Sequence, residues 1–127
     1  KNVSLVISRK ISDIKHKSKN GEEFINNCLK FFSTKYYASR VGVFAHINQH
    51  FITDLNSLWT INGYLACHQQ DFLLRLFLVK SKFFSDSQIT TVHTRYILMI
   101  HQHLRIVSKN KVIDVDPYFG KITVSKS

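Results

Sequence analysis

Two segments near the C-terminal end of the chain predict a β-hairpin that carries a histidine and a carboxylate on one face. The segments span residues 103–107 and 112–116, and the polar run at 108–111 between them is typical of a tight turn. A loop centred on this run places His103 opposite Asp116. An imidazole held by a carboxylate is the orienting part of a catalytic triad, because the carboxylate fixes the tautomer and stabilises the imidazolium.

Agreement between charge and hydrophobicity supports this register. Arg105 faces Asp114 on the same side of the ribbon as His103 and Asp116. The other side is aliphatic and consists of two facing pairs, Leu104 with Val115 and Ile106 with Ile113. Because a slip of one residue would turn every side chain to the opposite face, the two patterns together predict that the side chains of His103 and Asp116 are neighbours.

The candidate nucleophile is Cys67, which lies at or near the predicted start of an apolar helix. Unpaired amide groups and the helix dipole favour a thiolate there, and the same amides would stabilise an oxyanion on a substrate carbonyl. The sequence therefore predicts Cys67 as nucleophile, His103 as general acid and base, and Asp116 as orienting group. A second oxyanion donor has three candidates: Gln49, Trp59 and Asn62.

Each of these residues also has a structural interpretation. Cys67 could be a small buried side chain of the helix, and His103 with Asp116 could be an ordinary cross-strand pair. His101 lies on the same strand face as His103, which raises the alternative of a zinc site. His93 or Cys67 would then complete the ligand set.

Hydrophobic spacing predicts the helices that must position this site. The segment Glu22–Ala38 carries one apolar helical face, made of Phe24, Ile25, Cys28, Leu29, Phe32 and Tyr36. A second helix over Ala66–Lys80 is apolar on nearly every side, so we expect it at the centre of the domain. Residues 41–58 have a mixed pattern that indicates loop and short helix. After Asp86 the composition favours strands.

The order of these residues resembles the transglutaminase-like branch of the papain-like cysteine enzymes. The resemblance rests on Gly-Tyr-Leu-Ala-Cys67-His-Gln-Gln-Asp, on His103-Leu-Arg-Ile-Val and on Val-Asp116-Pro, and it covers about residues 60–119. The chain departs from the family at Arg105, where an aromatic residue is often found. It also departs in the four positions that separate Gly63 from the cysteine.

The resemblance implies an α+β fold and an acyl-transfer activity. A helical N-terminal half and a central cysteine-bearing helix would pack on an antiparallel β-sheet, within a single domain over residues 1–127. The reaction would be that of a protease, deamidase or transglutaminase, which forms a thioester from a peptide or side-chain amide and needs no cofactor or metal.

Composition and charge limit the partners. The hydrophobic content of 44% predicts a packed globule, and the longest apolar run, residues 72–79, is too short to span a bilayer. Residues 1–40 hold nine of the 18 basic residues behind the net charge of +10, without a recognisable nucleic-acid-binding motif. We expect a solvated basic surface and a peptide or protein substrate with acidic character. The alternative is a non-catalytic basic module that binds nucleic acid or an acidic protein.

Overall fold

An α+β architecture is present in the computed structural model, which describes residues 5–37, 55–61, 63–95, 100–108 and 110–126. Four helices are described: α1 (Leu5–His16), α2 (Gly21–Lys35), α3 (Leu55–Thr60) and α4 (Cys67–Lys80). A four-stranded antiparallel sheet follows them: β3 (Ile89–Arg95), β4 (Ile100–Val107), β5 (Lys111–Asp116) and β6 (Lys121–Lys126). Two short strands, β1 (Tyr36–Tyr37) and β2 (Gly63–Tyr64), pair in parallel. This arrangement confirms the predicted fold class.

The four strands lie in sequence order, so β4 and β5 are the central pair of the sheet. The predicted register of this pair is confirmed, with Leu104 opposite Val115 and Arg105 opposite Asp114. Ile106, Leu104 and Val115 are buried, whereas Arg105 is exposed. Alternation along both strands therefore gives the sheet an apolar face and a polar face, as an antiparallel sheet covered on one side requires.

Helix α4 packs on β4 and occupies the centre of the domain, as its sequence predicted. Its fully buried side chains are Leu73, Leu74, Phe77 and Leu78. Arg75, which is only partly buried, ties the helix to the sheet: its Nε donates to Asp86 at 2.8 Å and its second guanidinium nitrogen donates to the Ile89 carbonyl at 2.9 Å. These bonds fix α4 against the start of β3.

Helix α2 provides the apolar face that its spacing predicted. All six of the predicted residues are buried, and the Asn20 side chain caps the helix by accepting the Glu23 N–H at 2.9 Å. The helix ends at Lys35 rather than at Ala38, because Tyr36 turns into β1 and pairs with Gly63. Ala38 lies outside the described residues, as does most of the mixed 41–58 segment.

Helix α1 forms where the sequence predicted only a solvated basic surface. Three isoleucines, Ile7, Ile11 and Ile14, recur at helical spacing and are buried against the core. Lys10 and Lys15 lie over the rings of Phe31 and Phe83, at 4.5 Å and 5.6 Å from the ring centroids. Some of the excess positive charge therefore covers the edges of the core. None of the described helices is both long enough and apolar enough to cross a membrane.

Substitution of Phe77 tests whether α4 stabilises the core. Its ring lies 5.3 Å from that of Phe32 and 6.0 Å from that of Trp59, between centroids. We expect Phe77→Ala to lower the free energy of unfolding by about 3–5 kcal/mol, because it removes a buried ring and leaves a cavity. Denaturant unfolding measures this. The control is Val124→Ala on the edge strand β6, where the side chain is 45% exposed; it should change stability by less than about 0.5 kcal/mol. Equal losses in the two variants would contradict the assignment.

Candidate active site

A thiol, an imidazole and a carboxylate meet where the start of α4 contacts the central strands. Cys67 is the first residue of α4, His101 lies on β4 and Asp116 ends β5. His101 Nε2 lies 2.6 Å from Asp116 Oδ2, and the imidazole also interacts with the Cys67 thiol. Because Nε2 is engaged with Asp116, Nδ1 is the ring nitrogen available to Cys67, although no hydrogen bond of standard geometry forms at Nδ1 among the described residues. The structure thus brings Cys67 and Asp116 to a common histidine.

That histidine is His101 and not His103. The predicted contact between His103 and Asp116 is wrong, since His103 Nε2 lies 3.4 Å from Asp114 Oδ1 instead. Both histidines reach a carboxylate that is displaced by two residues from the directly opposite position. Such diagonal contacts arise because paired strands twist, which brings long side chains at i and j±2 within reach. The register prediction is confirmed, and the histidine that reaches Asp116 is His101 rather than His103.

The environment of Cys67 favours the thiolate. Burial raises the pKa of the thiol. The interactions with His101, His68 and the Gln102 backbone and the charge of His101 lower it, and together they outweigh burial. The net result is a pKa of about 6 instead of the ordinary 9.0. The other cysteine differs in every respect, because Cys28 is sealed in the core and burial alone raises its pKa. Only one of the two thiols is therefore ionised at neutral pH.

The complementary shift occurs on His101. Burial lowers the pKa of the imidazole, whereas its hydrogen bonds to Asp116 and Cys67 and the negative charges of both partners raise it, to about 9. Between these two pKa values the pair exists as thiolate and imidazolium. A thiolate beside an imidazolium is a nucleophile paired with a general acid, which is the combination that acyl transfer requires.

Two buried glutamines hold the chain that enters α4. Gln69 Oε1 accepts the Ala66 N–H at 3.3 Å, and Gln70 Nε2 donates to the Leu65 carbonyl at 2.9 Å. Cys67 is the first residue of the helix after this segment, and the N–H groups of a first helical turn have no partner within the helix. The Cys67 amide is therefore an oxyanion donor candidate.

Of the three residues predicted as a second oxyanion donor, Trp59 is the one that lies among the described residues. Trp59 belongs to α3, and its ring packs 5.7 Å from that of Phe31 and 6.0 Å from that of Phe77, between centroids. Gln49 and Asn62 lie outside the described residues. His68, which directly follows Cys67 in the chain, also helps to lower the pKa of Cys67.

Asp71 is a buried carboxyl group one helical turn after Cys67. It is 2% exposed, and among the described residues neither of its oxygens has a hydrogen-bond partner of standard geometry. Burial and the negative charges of Cys67 and Asp116 raise its pKa to about 8, although the Gln102 amide and the charge of His101 oppose the rise. Asp71 is therefore protonated at neutral pH.

A turn after β5 closes the site on its other side. Tyr118 is buried against Ala66 and Cys67, and the Phe119 ring centroid lies 4.8 Å from that of His101. The Phe119 N–H donates to Asp116 Oδ1 at 3.2 Å. One carboxylate therefore orients the imidazole and fixes the turn. Sequence analysis did not identify these aromatic residues, because their contact with His101 depends on the turn geometry.

The predicted zinc alternative receives no structural support. Within the part of the chain that the structure describes, no group of three or more His, Cys, Asp or Glu side chains is arranged to hold a metal ion. His93 lies on an exposed part of β3, opposite Gln102 in the strand register. His101 uses one ring nitrogen for Asp116 and interacts with Cys67, which accounts for its position without a metal.

Comparison with known proteins gives no match. The chain matches no family model, no curated protein and no solved structure at a significant level.

The ionisation of Cys67 can be measured directly. The ultraviolet absorbance of the thiolate should appear with a midpoint at about pH 6, because the charge and hydrogen bonds of His101 outweigh burial. Cys67→Ser should abolish this transition, and Cys28→Ser should leave it in place. A transition near the ordinary thiol pKa of 9.0 would contradict the proposed contact between Cys67 and His101.

The raised pKa of Asp71 predicts that the free energy of unfolding depends on pH. Its pKa is about 8 in the folded protein against an ordinary 3.8, so the folded state holds a proton that the unfolded chain releases. The free energy of unfolding should therefore fall as pH rises between these values. Asp71→Asn removes this loss, and its stability relative to the unaltered protein should increase from about pH 5 to about pH 8 in urea unfolding. A difference that does not change with pH would show that Asp71 does not titrate in this way.

Proposed function

We propose that the protein is a thiol-dependent acyl-transfer enzyme that acts on a peptide or side-chain amide. Cys67 is the nucleophile, His101 the general acid and base, and Asp116 the orienting group. The observation that carries the proposal is the position of the His101 ring, whose Nε2 lies 2.6 Å from Asp116 Oδ2 while the imidazole interacts with the Cys67 thiol at the start of α4. This is the arrangement of nucleophile, base and orienter by which a catalytic triad is recognised.

Acylation would begin from the thiolate and imidazolium. Cys67 Sγ attacks the carbonyl carbon of the amide, a C–S bond forms, and the carbonyl electron pair moves to oxygen near the Cys67 N–H. When the carbonyl re-forms, the C–N bond breaks and the imidazolium of His101 gives its proton to the departing nitrogen. The products of this half-reaction are an amine and a thioester on Cys67, with a neutral His101 that is ready to act as a base.

Deacylation would reverse these roles with a second nucleophile. His101 removes a proton from water or from an amine, the new nucleophile attacks the thioester, and the C–S bond breaks to restore the thiolate and imidazolium. Water gives hydrolysis or deamidation, and an amine gives transamidation. Asp116 lowers the energy of each imidazolium state and keeps the ring from rotating out of position.

The sequence resemblance to transglutaminase-like and papain-like enzymes supports the same reaction. The cysteine begins a central helix, and the histidine and aspartate lie on neighbouring antiparallel strands. In this proposal the histidine role belongs to His101, two residues before the position that the sequence motif suggested. The positive net charge of +10 supports an acidic peptide or protein as substrate.

Alkylation by iodoacetamide distinguishes His101 from His103, which lies on the same strand face but contacts Asp114. At about pH 6, restoring the ordinary thiol pKa lowers the thiolate fraction roughly 500-fold, and the greater nucleophilicity of a more basic thiolate offsets part of this loss. We therefore expect Cys67 to react at least about 20-fold more slowly in His101→Ala. His103→Ala should react at the rate of the unaltered protein.

The alkylation outcomes separate three explanations. A loss in His103→Ala but not in His101→Ala would restore the role assignment that the sequence suggested. Equal and slow alkylation of Cys67 and Cys28 in the unaltered protein would remove the basis for a thiol enzyme. In the latter case, salt-dependent binding of nucleic acid that Cys67→Ser leaves intact would favour the basic binding module instead.

An activated ester tests the acyl-transfer step itself. p-Nitrophenyl acetate should give a burst of nitrophenolate and a protein mass increased by one acetyl group, located on Cys67 by peptide mapping. The rate of the burst should fall by about 100-fold or more in His101→Ala, because the base and its charge are lost together. Acetylation of lysines without modification of Cys67 would count against the mechanism.

A further inference from the structure

The turn that joins β5 to β6 carries an aromatic residue whose position is tied to the proposed triad. The Phe119 N–H donates to Asp116 Oδ1 at 3.2 Å, while Oδ2 of the same carboxylate contacts His101 Nε2 at 2.6 Å. Gly120 follows with a φ of 66°, a left-handed conformation that favours glycine and lets the chain enter β6. The Phe119 backbone is therefore held in a defined place relative to the reacting groups.

Three rings meet at this turn, but only one of them is open to solvent. The ring centroids of Tyr118 and Phe119 are 5.1 Å apart, and each lies within 5.5 Å of that of His101. Tyr118 is 6% exposed and His101 is 2% exposed, whereas Phe119 is 50% exposed. Lys121 Nζ lies 5.9 Å from the Phe119 ring centroid and still leaves half of that residue uncovered.

An exposed phenylalanine costs hydration free energy, which a ligand would recover by covering it. The Phe119 ring lies beside His101. A substrate whose carbonyl lies between Cys67 and His101 would therefore bring its neighbouring side chains within reach of the Phe119 ring. An apolar surface beside a small number of oriented polar groups is the usual composition of a substrate site.

We propose that Phe119 is a specificity-determining residue that receives a large apolar side chain of the acyl donor, carried by the residue that bears the reacting carbonyl or by the residue before it. This inference rests on the proposed function and adds the substrate class to it. The enzyme would prefer peptides with an aromatic or branched aliphatic residue at one of these two positions. Tyr118 supports the subsite from behind, since it is buried against Ala66 and Cys67.

Three dipeptidyl chloromethyl ketones test this preference: alanyl-alanyl, phenylalanyl-alanyl and alanyl-phenylalanyl. Each alkylates Cys67 with loss of chloride, and the rate is measured by the mass of the intact protein. One of the two phenylalanine probes should react on the order of tenfold faster than the alanine probe, because its ring is removed from water on Phe119. Dividing one probe rate by another cancels any change in the thiolate fraction.

Variants assign the preference to this ring. Phe119→Ala should reduce the ratio of the faster phenylalanine probe to the alanine probe to about one, and Phe119→Leu should keep a ratio of several-fold. Val124→Ala, an exposed apolar residue of β6 away from the turn, should keep the full ratio. A full ratio in Phe119→Ala, or a ratio of about one for both probes in the unaltered protein, would overturn the proposal.

Iodoacetamide separates this proposal from the proposed function. Fast alkylation of Cys67 by iodoacetamide with no preference among the peptidyl probes would remove the subsite and leave the thiol enzyme in place. Slow alkylation of Cys67 by iodoacetamide and by all three probes would remove both.

Discussion

The Asp116 carboxylate links the parts of this site, because its two oxygens hold different elements. Oδ2 holds the His101 ring on β4, and Oδ1 holds the backbone of Phe119 in the turn that leads to β6. The hairpin register makes this possible, since it brings the end of β5 beside the middle of β4. A register shift of one residue would turn Asp116 to the apolar face and separate it from His101. The position of the imidazole therefore depends on the pairing of the whole hairpin.

Helix α4 supplies the third group, and its own apolar character positions it. Leu73, Leu74 and Phe77 bury one end of the helix in the core, while Arg75 fastens it to the start of β3. The polar first turn then lies against β4, where the thiol meets His101. A strongly amphipathic helix would rest on the surface of the sheet, whereas this one is surrounded by the core and leaves little freedom to the position of Cys67.

Sequence patterns predicted the parts that depend on periodicity. The hairpin register, the apolar face of α2 and the central position of α4 follow from alternation and helical spacing, which are properties of the chain itself. The choice between His101 and His103 does not follow, since both lie on one face of β4 and only strand twist decides which of them reaches Asp116. The burial of Asp71 and the approach of Phe119 to His101 likewise depend on tertiary contacts between distant segments.

The ionisation of Cys67 and the protonation of Asp71 depend on each other. Both side chains lie on one side of α4, and Gln102 lowers the pKa of both, through its backbone at the thiol and its side-chain amide at the carboxyl group. The positive charge of His101 already interacts with two negative charges, those of the Cys67 thiolate and the Asp116 carboxylate. A second uncompensated negative charge in so buried a place would be costly, so the site keeps a proton on Asp71 while Cys67 is ionised. Loss of that proton at higher pH would raise the pKa of Cys67, because the two negative charges repel each other.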